Sequence, residues 1–371
     1  MKILYLAQRY DYGKPSNGLS FEHFNFYQSL CATGHEVIEF DYPSVIEGLG
    51  RAHGNQRLEA MVDEEQPDVL FGVVRGDLVS KRTMRRISEQ AQTTTINWFC
   101  DDHWQFDSHA LGWTPCFNYV VTTSQRAYER YHENGLANVI KSQWGANHAL
   151  YTPTGKEPIY DVTFIGQPYG IRGEAIEALQ RAGIKARAWG NGWPAGKLSQ
   201  KEMIRVFSQS RINLNFADAS SSTRTRLEAI AASHALGSLR EKPGLWRVWS
   251  GAQRLAAWDK QRVERNNPAP PRQIKGRVFE VPACGGFLLT QPAENLHTYL
   301  APSRDCATFD SIDDLVERVR YYLKHEDERH TIAEQGYRRT LAEHTYAARF
   351  ASIFEQAGIT PAKPSAQRLA A

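Results

Sequence analysis

No paired cysteine spacing occurs in this 371-residue sequence: Cys31, Cys100, Cys116, Cys284 and Cys306 are odd in number, widely scattered, and form no Cys-x-x-Cys. That speaks against a disulfide framework and a structural zinc site, and predicts a reducing compartment. Long apolar runs are equally scarce. The opening Met1–Arg9 segment holds too short a run for a signal-peptide core or a membrane span, so the expectation is a cytoplasmic protein with no integral membrane segment. Charge of one sign is lacking too. A formal net charge of +3 excludes a polyanion binder by bulk composition and leaves only local basic patches open. What is present is globular: 42% apolar and 23% charged residues, in a chain long enough for two domains.

The pattern along the chain is an alternation of short apolar runs and amphipathic stretches. Ile3–Ala7 reads as a strand, followed by the polar loop 8–18. A helix follows over Ser20–Leu30, with Phe21, Phe24, Tyr27 and Leu30 on one stripe and Ser20 as its cap. His35–Phe40 alternates like a strand. Further strands are predicted at 67–74, 93–99, 117–123 and 139–143, with helices between them. After a linker at 155–158 a second series begins: strands at 160–165, 184–189 and 211–216, then 306–310, with helices over 312–323 and 326–344. Such alternation predicts an α/β protein of two Rossmann-like domains with parallel sheets, whose ligands sit at the carboxyl ends of the strands. The boundaries read as 1–154, 155–345 with an insertion at 217–273, a helix at 346–359, and an aperiodic, poorly ordered tail at 360–371.

Several places carry chemistry. Asp101, Asp102 and His103 end a predicted strand and form the densest titratable cluster of the first half. A carboxylate or imidazole there suits a general base, while capping of the next helix explains the same residues as well. An adjacent Asp pair on a loop is no metal motif. Glu22 and His23 follow the first loop, closed by Gly18; a lone histidine there fits a helix surface as readily as a catalytic role. Gly166–Arg172 is a glycine-bearing loop feeding a helix, and its N–H groups with Arg172 suit phosphate. Its spacing is not a P-loop, and a plain strand-to-helix turn accounts for it. Gly190–Trp193 is a turn whose Trp193 can stack on a base or pack inward. Asn213 and Asn215 alternate with Ile212, Leu214 and Phe216, a polar strand face that needs partners. The insertion holds ten basic against five acidic residues with Trp246, Trp249 and Trp258 among them, which suits an anionic polymer or an inward-packed helical region.

The densest stretch is Lys275–Thr290. It reads as a helix start, a break at Gly285 and Gly286, and a buried strand at Phe287–Leu289, with Glu280 and basic residues near the helix start.

These blocks together resemble the GT-B glycosyltransferases of group 1 type, most closely the branch of CgeB-like spore-maturation proteins. The resemblance rests on Val162–Gly166 with Arg172, Trp189–Trp193, Ile212–Asn215, Lys275–Glu280, Ala283–Gly286, Asp313–Leu315, Tyr321–Leu323, Arg329, Ile332–Ala333, Gly336 and His344–Tyr346. It is looser over Gly18–Leu30 and Gly34–Val37. It implies two domains facing a cleft, a C-terminal helix crossing back to the first, and metal-independent sugar transfer from a nucleotide-diphosphate sugar, UDP-linked sugars among them. No further cofactor is implied, and the acceptor (glycan, protein, small molecule or nucleic acid) is left open. By resemblance Glu280 holds the ribose hydroxyls and Lys275 and Arg277 the diphosphate. Gly285 and Gly286 let the chain approach the donor, with Gly166, Arg172, Asn191, Trp193 and Asn215 around it. Gly18, Glu22 and His23 fall to the acceptor, and Asp101, Asp102 and His103 to the catalytic base. The retaining relatives carry a second Glu eight positions before Glu280; Arg272 stands there, which leaves stereochemistry open. Two other readings fit the same residues: a catalytically silent nucleotide-sugar or glycan binder, and a phage-type DNA-modifying transferase docking through 217–273.

Overall fold

The computed structural model describes residues 1–218 and 272–359; most of the predicted insertion and the predicted tail lie outside them. The chain divides into two compact units, Met1–Thr152 with the stretch from Tyr337 onward, and Pro153–Gly336.

The first unit holds six strands: β1 Lys2–Ala7, β2 Glu36–Asp41, β3 Val69–Gly72, β4 Thr94–Phe99, β5 Tyr119–Thr122 and β6 Val139–Lys141. They pair in the order β2-β1-β3-β4-β5-β6, every pair parallel. The second unit holds β7 Tyr160–Ile165, β8 Ala186–Trp189, β9 Ser210–Asn215, β10 Leu288–Thr290 and β11 Ala307–Thr308, in the order β11-β10-β9-β7-β8 and again all parallel. Counted within each unit this is one arrangement, 2-1-3-4-5, extended by one strand in the first. The order reverses between the first and third strands, at β1/β3 and at β7/β9, and such a reversal opens a crevice at the carboxyl edge of the sheet.

Both sheets carry helices; β1, β3 and β10 are near-continuous apolar runs, as strands covered on both faces are, whereas β2 and β9 alternate polar with apolar residues. On one face of the first sheet Leu4, Leu6, Leu70 and Val120 pack with Leu58, Val62, Met84 and Ile87. On the other, Ile3, Tyr5, Phe71 and Trp98 pack with Phe26 and with Tyr346, Phe350, Ile353 and Phe354. These last four lie on the helix Tyr346–Gln356, capped by the Thr345 side chain, so the C-terminal helix does return to the first unit. In the second sheet Val162, Phe164, Ile212, Leu214 and Leu289 meet Ile176, Leu179, Leu315 and Val319.

Two elements depart from their predicted form. The helix after the first loop starts as expected, with the Ser20 hydroxyl accepting from His23 N at 3.0 Å, but runs as a π-helix over His23–Tyr27 before Gln28–Ala32. An added helix, Tyr42–Leu49, precedes Arg51–Glu65; Pro43 lies in its first turn, where a missing N–H costs nothing.

Candidate functional site

The carboxyl edge of the second sheet gathers most of the predicted donor residues. The segment leading into the helix Arg277–Ala283 is tied there: Gln273 N donates to Ala217 O at 3.0 Å, past the end of β9, and Glu294 N donates to Arg272 O at 3.2 Å, past β10. Lys275 and Arg277 therefore start their helix at this edge. Glu280 lies one turn on, fully buried and ion-paired with Arg277. Its carboxylate is thus engaged within its own helix. Arg277 also lies over the Phe207 ring at 5.5 Å. Arg272, in place of the second glutamate of the retaining relatives, pairs with Asp218 at 3.1 Å.

Arg172 spans the β7/β9 reversal. One guanidinium nitrogen donates to Gln167 O at 3.1 Å, beyond β7, and another to Phe216 O at 3.3 Å, beyond β9, while the plane stacks on Tyr169 at 3.7 Å. Only 6% of Arg172 is exposed, and burial pulls its pKa below the ordinary arginine value. Beside it Gln291, 0% exposed, accepts from Ala217 N at 3.0 Å through Oε1, which fixes its amide orientation. The consequence concerns donors without acceptors. Arg172 Nε, Gln291 Nε2 and the Nε2 of Gln273, itself 6% exposed, are buried and make no hydrogen bond among the described residues. All three belong to side chains anchored on Phe216–Ala217 or to residues bonded there. Sequence reading assigned Arg172 to the donor but missed both glutamines, because nothing local marks a buried amide as unpaired.

Other predicted donor residues have internal work. Trp193 donates its indole N–H to Gly166 O at 2.7 Å and packs edge-on against Phe164. Gly190, at φ +139°, leaves no room for a Cβ, which would stand 2.4 Å from Gly166 O. Asn191 is exposed on this turn. Asn215 donates to Thr290 Oγ1 at 2.8 Å, and Asn213 bonds Thr163 and the carbonyls of Phe207 and Phe287, so the polar face of β9 is satisfied within the sheet. Gly285 and Gly286 do not join the carboxyl edge. Gly285 closes the helix in the left-handed region at φ +71°, and Gly286 lies at the amino end of β10, where a Cβ would stand 2.6 Å from Phe207 O and 2.8 Å from Asn213 Nδ2. The close approach at Gly286 gives that glycine a packing role, apart from its expected place beside the donor.

At the carboxyl edge of the first sheet, Glu22 and Arg75 span the β1/β3 reversal at 2.5 Å, the carboxylate buried and the guanidinium half-exposed. His23 Nδ1 meets Glu39 Oε1 at 2.8 Å. Gly18 closes the first loop at φ +80°, its carbonyl accepting from Asp11 N. Arg75, Cys100, Asp101, Asp102, Gln105 and His109 border a cavity of about 20 Å³, room for a water. Burial pushes the Cys100 thiol up to about 12, so it stays protonated at neutral pH. Asp102 turns inward: it is 2% exposed, accepts from Tyr131 OH at 3.2 Å, and burial pushes its carboxyl up to about 7. Asp101 is half-buried, its carbonyl accepting from the N–H groups of Trp104 and Gln105, and His103 is half-buried on the same short helix. Of the three predicted catalytic residues, Asp101 and Asp102 thus border the same small cavity, and Asp102 is committed to Tyr131.

Comparison with known proteins bears on this geometry. A family model described as glycosyl transferase-like matches residues 172–260 and 261–355. The chain is 23% identical to the spore protein CgeB of Bacillus subtilis (strain 168) over 351 residues, 93% of this chain and 95% of that one. Among solved structures it is similar to sucrose-phosphate synthase from Thermosynechococcus elongatus, with TM-score 0.58, 10% identity, and coverage of 96% of this chain and 99% of that one. Anabaena HepE in complex with UDP-glucose gives TM-score 0.57, 12% identity, and coverage of 96% and 99%. Both are likenesses of fold, and the fold is GT-B.

Proposed function

The chain belongs to the glycosyl transferase-like family, and from that premise we propose that it transfers a sugar from a nucleotide-diphosphate sugar to an acceptor hydroxyl, the second unit holding the donor. The observation that carries this reading is the set of unpaired donors at the carboxyl edge of the second sheet: Arg172 Nε, Gln273 Nε2 and Gln291 Nε2. Each buried N–H left without an acceptor costs about 1–3 kcal/mol. An oxygen-rich ligand offsets that cost, and a diphosphate with its sugar hydroxyls supplies many acceptors and no competing cation. Charge building on the leaving diphosphate is met by Arg172, Lys275 and Arg277. Glu280, paired with Arg277, fixes that guanidinium in place.

The HepE structure holds UDP-glucose, which makes UDP sugars the first donors to try. Calorimetry of the full chain against a panel of nucleotide-diphosphate sugars, with release of nucleotide diphosphate as the turnover assay, tests the proposal. Binding with turnover supports it; binding without turnover marks a silent binder; no binding across the panel overturns it. Gln291→Glu keeps the oxygen that accepts from Ala217 N but removes the amide donor, and it should weaken donor binding at least about tenfold, about 1.4 kcal/mol. Unchanged affinity in that variant counts against the site as drawn.

A further inference from the structure

We propose that the cavity beyond the carboxyl ends of β3 and β4 is a built site for one water molecule, which joins Asp102 to His109 in a hydrogen-bonded relay. Neither residue is part of the donor site, so the transferase reading above stands whether or not this water is found. The two side chains reach the cavity from one irregular segment. β4 ends at Phe99, a single helical turn covers Asp102–Gln105, and a π-helix follows over Phe106–Ala110, with His109 inside it. A π-turn takes one residue more than an α-turn; such turns are rare and gather at functional sites. Asp102 and His109 both border the cavity, whose volume of about 20 Å³ holds a water and nothing larger.

Each side chain has one polar atom committed and one left over. Asp102 Oδ2 accepts from Tyr131 OH at 3.2 Å, on the helix Gln125–Glu133, while Oδ1 is buried without a partner among the described residues. The Thr122 hydroxyl lies beside this carboxyl, but its own bonds run to Ser124. His109 bonds the Val74 carbonyl, and its Nε2 is buried without a partner among the described residues. A carbonyl only accepts, so the ring nitrogen that meets it, Nδ1, carries the proton and Nε2 keeps its lone pair. Burial lowers the pKa of this imidazole, which favours the neutral ring.

Burial acts on Asp102 in the opposite sense and favours the protonated acid. Because Oδ2 is already accepting, that proton sits on Oδ1. A donor and an acceptor thus border one cavity without bonding each other. A water between them accepts from Asp102 and donates to His109, and so satisfies two buried groups at once. When Asp102 ionises, Oδ1 accepts from the same water, and the site persists.

High-resolution diffraction from crystals of the full chain should show a water oxygen about 2.5–3.2 Å from both Asp102 Oδ1 and His109 Nε2. An empty cavity, a water touching only one of the two atoms, or direct contact between them overturns the proposal. In solution, oxygen-17 relaxation dispersion counts the waters held inside the protein. Asp102→Leu and His109→Phe should each lower that count by one, and the double variant by the same one. Asp102→Asn keeps an acceptor for Tyr131 OH and an N–H toward the cavity, so its count should match the wild type. Two waters lost in the double variant, or none lost in either folded single variant, overturns the shared site. Circular dichroism reports folding; should the leucine variant fail to fold, His109→Phe and the wild-type crystal still decide. Nitrogen NMR of the wild-type chain should show His109 protonated on Nδ1 and bare on Nε2, and a proton on Nε2 alone overturns the relay as drawn.

Discussion

A carboxylic acid buried without a cation holds its proton more tightly than it does in water, and Asp102 is such a group, pushed up to about 7 by burial from an ordinary value of 3.8. As pH rises from about 4 to 7 the unfolded chain loses this proton while the folded chain keeps it, so the folded state binds more protons and its stability falls through that window. Below pH 4 the effect vanishes, and above 7 it is constant. A difference of roughly three pH units corresponds to at most about 4 kcal/mol. Asp102→Asn retains an acceptor for Tyr131 OH and removes the titration. Relative to the wild type it should therefore gain stability between pH 4.5 and 7.5, by a few kcal/mol, in urea unfolding followed at several pH values. A difference between the two proteins that does not change with pH would remove this account. Sequence alone marked Asp101–His103 as titratable but had no means of telling which side chain turns inward, since that depends on Tyr131, twenty-nine positions away. The pairing of His23 with Glu39 was not legible either, because a strand glutamate looks solvent-facing until its neighbour is known.

The element Lys275–Thr290 was read correctly in form: a helix over Arg277–Ala283, a glycine break, and β10. The purpose of the break is not legible there. A Gly-Gly pair beside a phosphate site and one that admits a neighbouring backbone look alike in sequence, and only the approach of Phe207 O and Asn213 decides between them. Gly286→Ala places a methyl 2.6 Å from a carbonyl that cannot swing away, so overpacking of about 1–3 kcal/mol is expected. A lowered thermal midpoint with donor affinity unchanged in the folded protein is the outcome expected of a packing role. A normal midpoint with lost affinity would return Gly286 to the donor. The loop after β7 poses the same question with another answer. There Arg172 holds Gln167 O and Phe216 O together, so Arg172→Met should both lower the midpoint and raise donor Kd, read by calorimetry on the same preparation.

At the scale of the whole molecule, alternation of strands and helices made two parallel sheets legible, because each crossover must be right-handed and covered. The strand order, and with it the two reversals, was not, since either order satisfies the same apolar pattern. The C-terminal helix shows how chain order and fold part company: residues from Tyr337 onward belong to the unit that began at Met1. Tyr346, Phe350, Ile353 and Phe354 are all buried against Phe26, Phe71 and Trp98. At about 1.5–3 kcal/mol for each large side chain, their burial contributes about 6–12 kcal/mol, comparable with the whole stability of a typical domain. A chain ending at Glu343 should therefore lose the first unit and keep the second, whose strands and buried core residues all precede Tyr337. Hydrogen exchange read by mass spectrometry separates the two: amides of β1 and β3 should exchange as in an unfolded chain while those of β7 and β9 stay protected. Persisting protection in β1 would mean that the aromatic face closes without this helix.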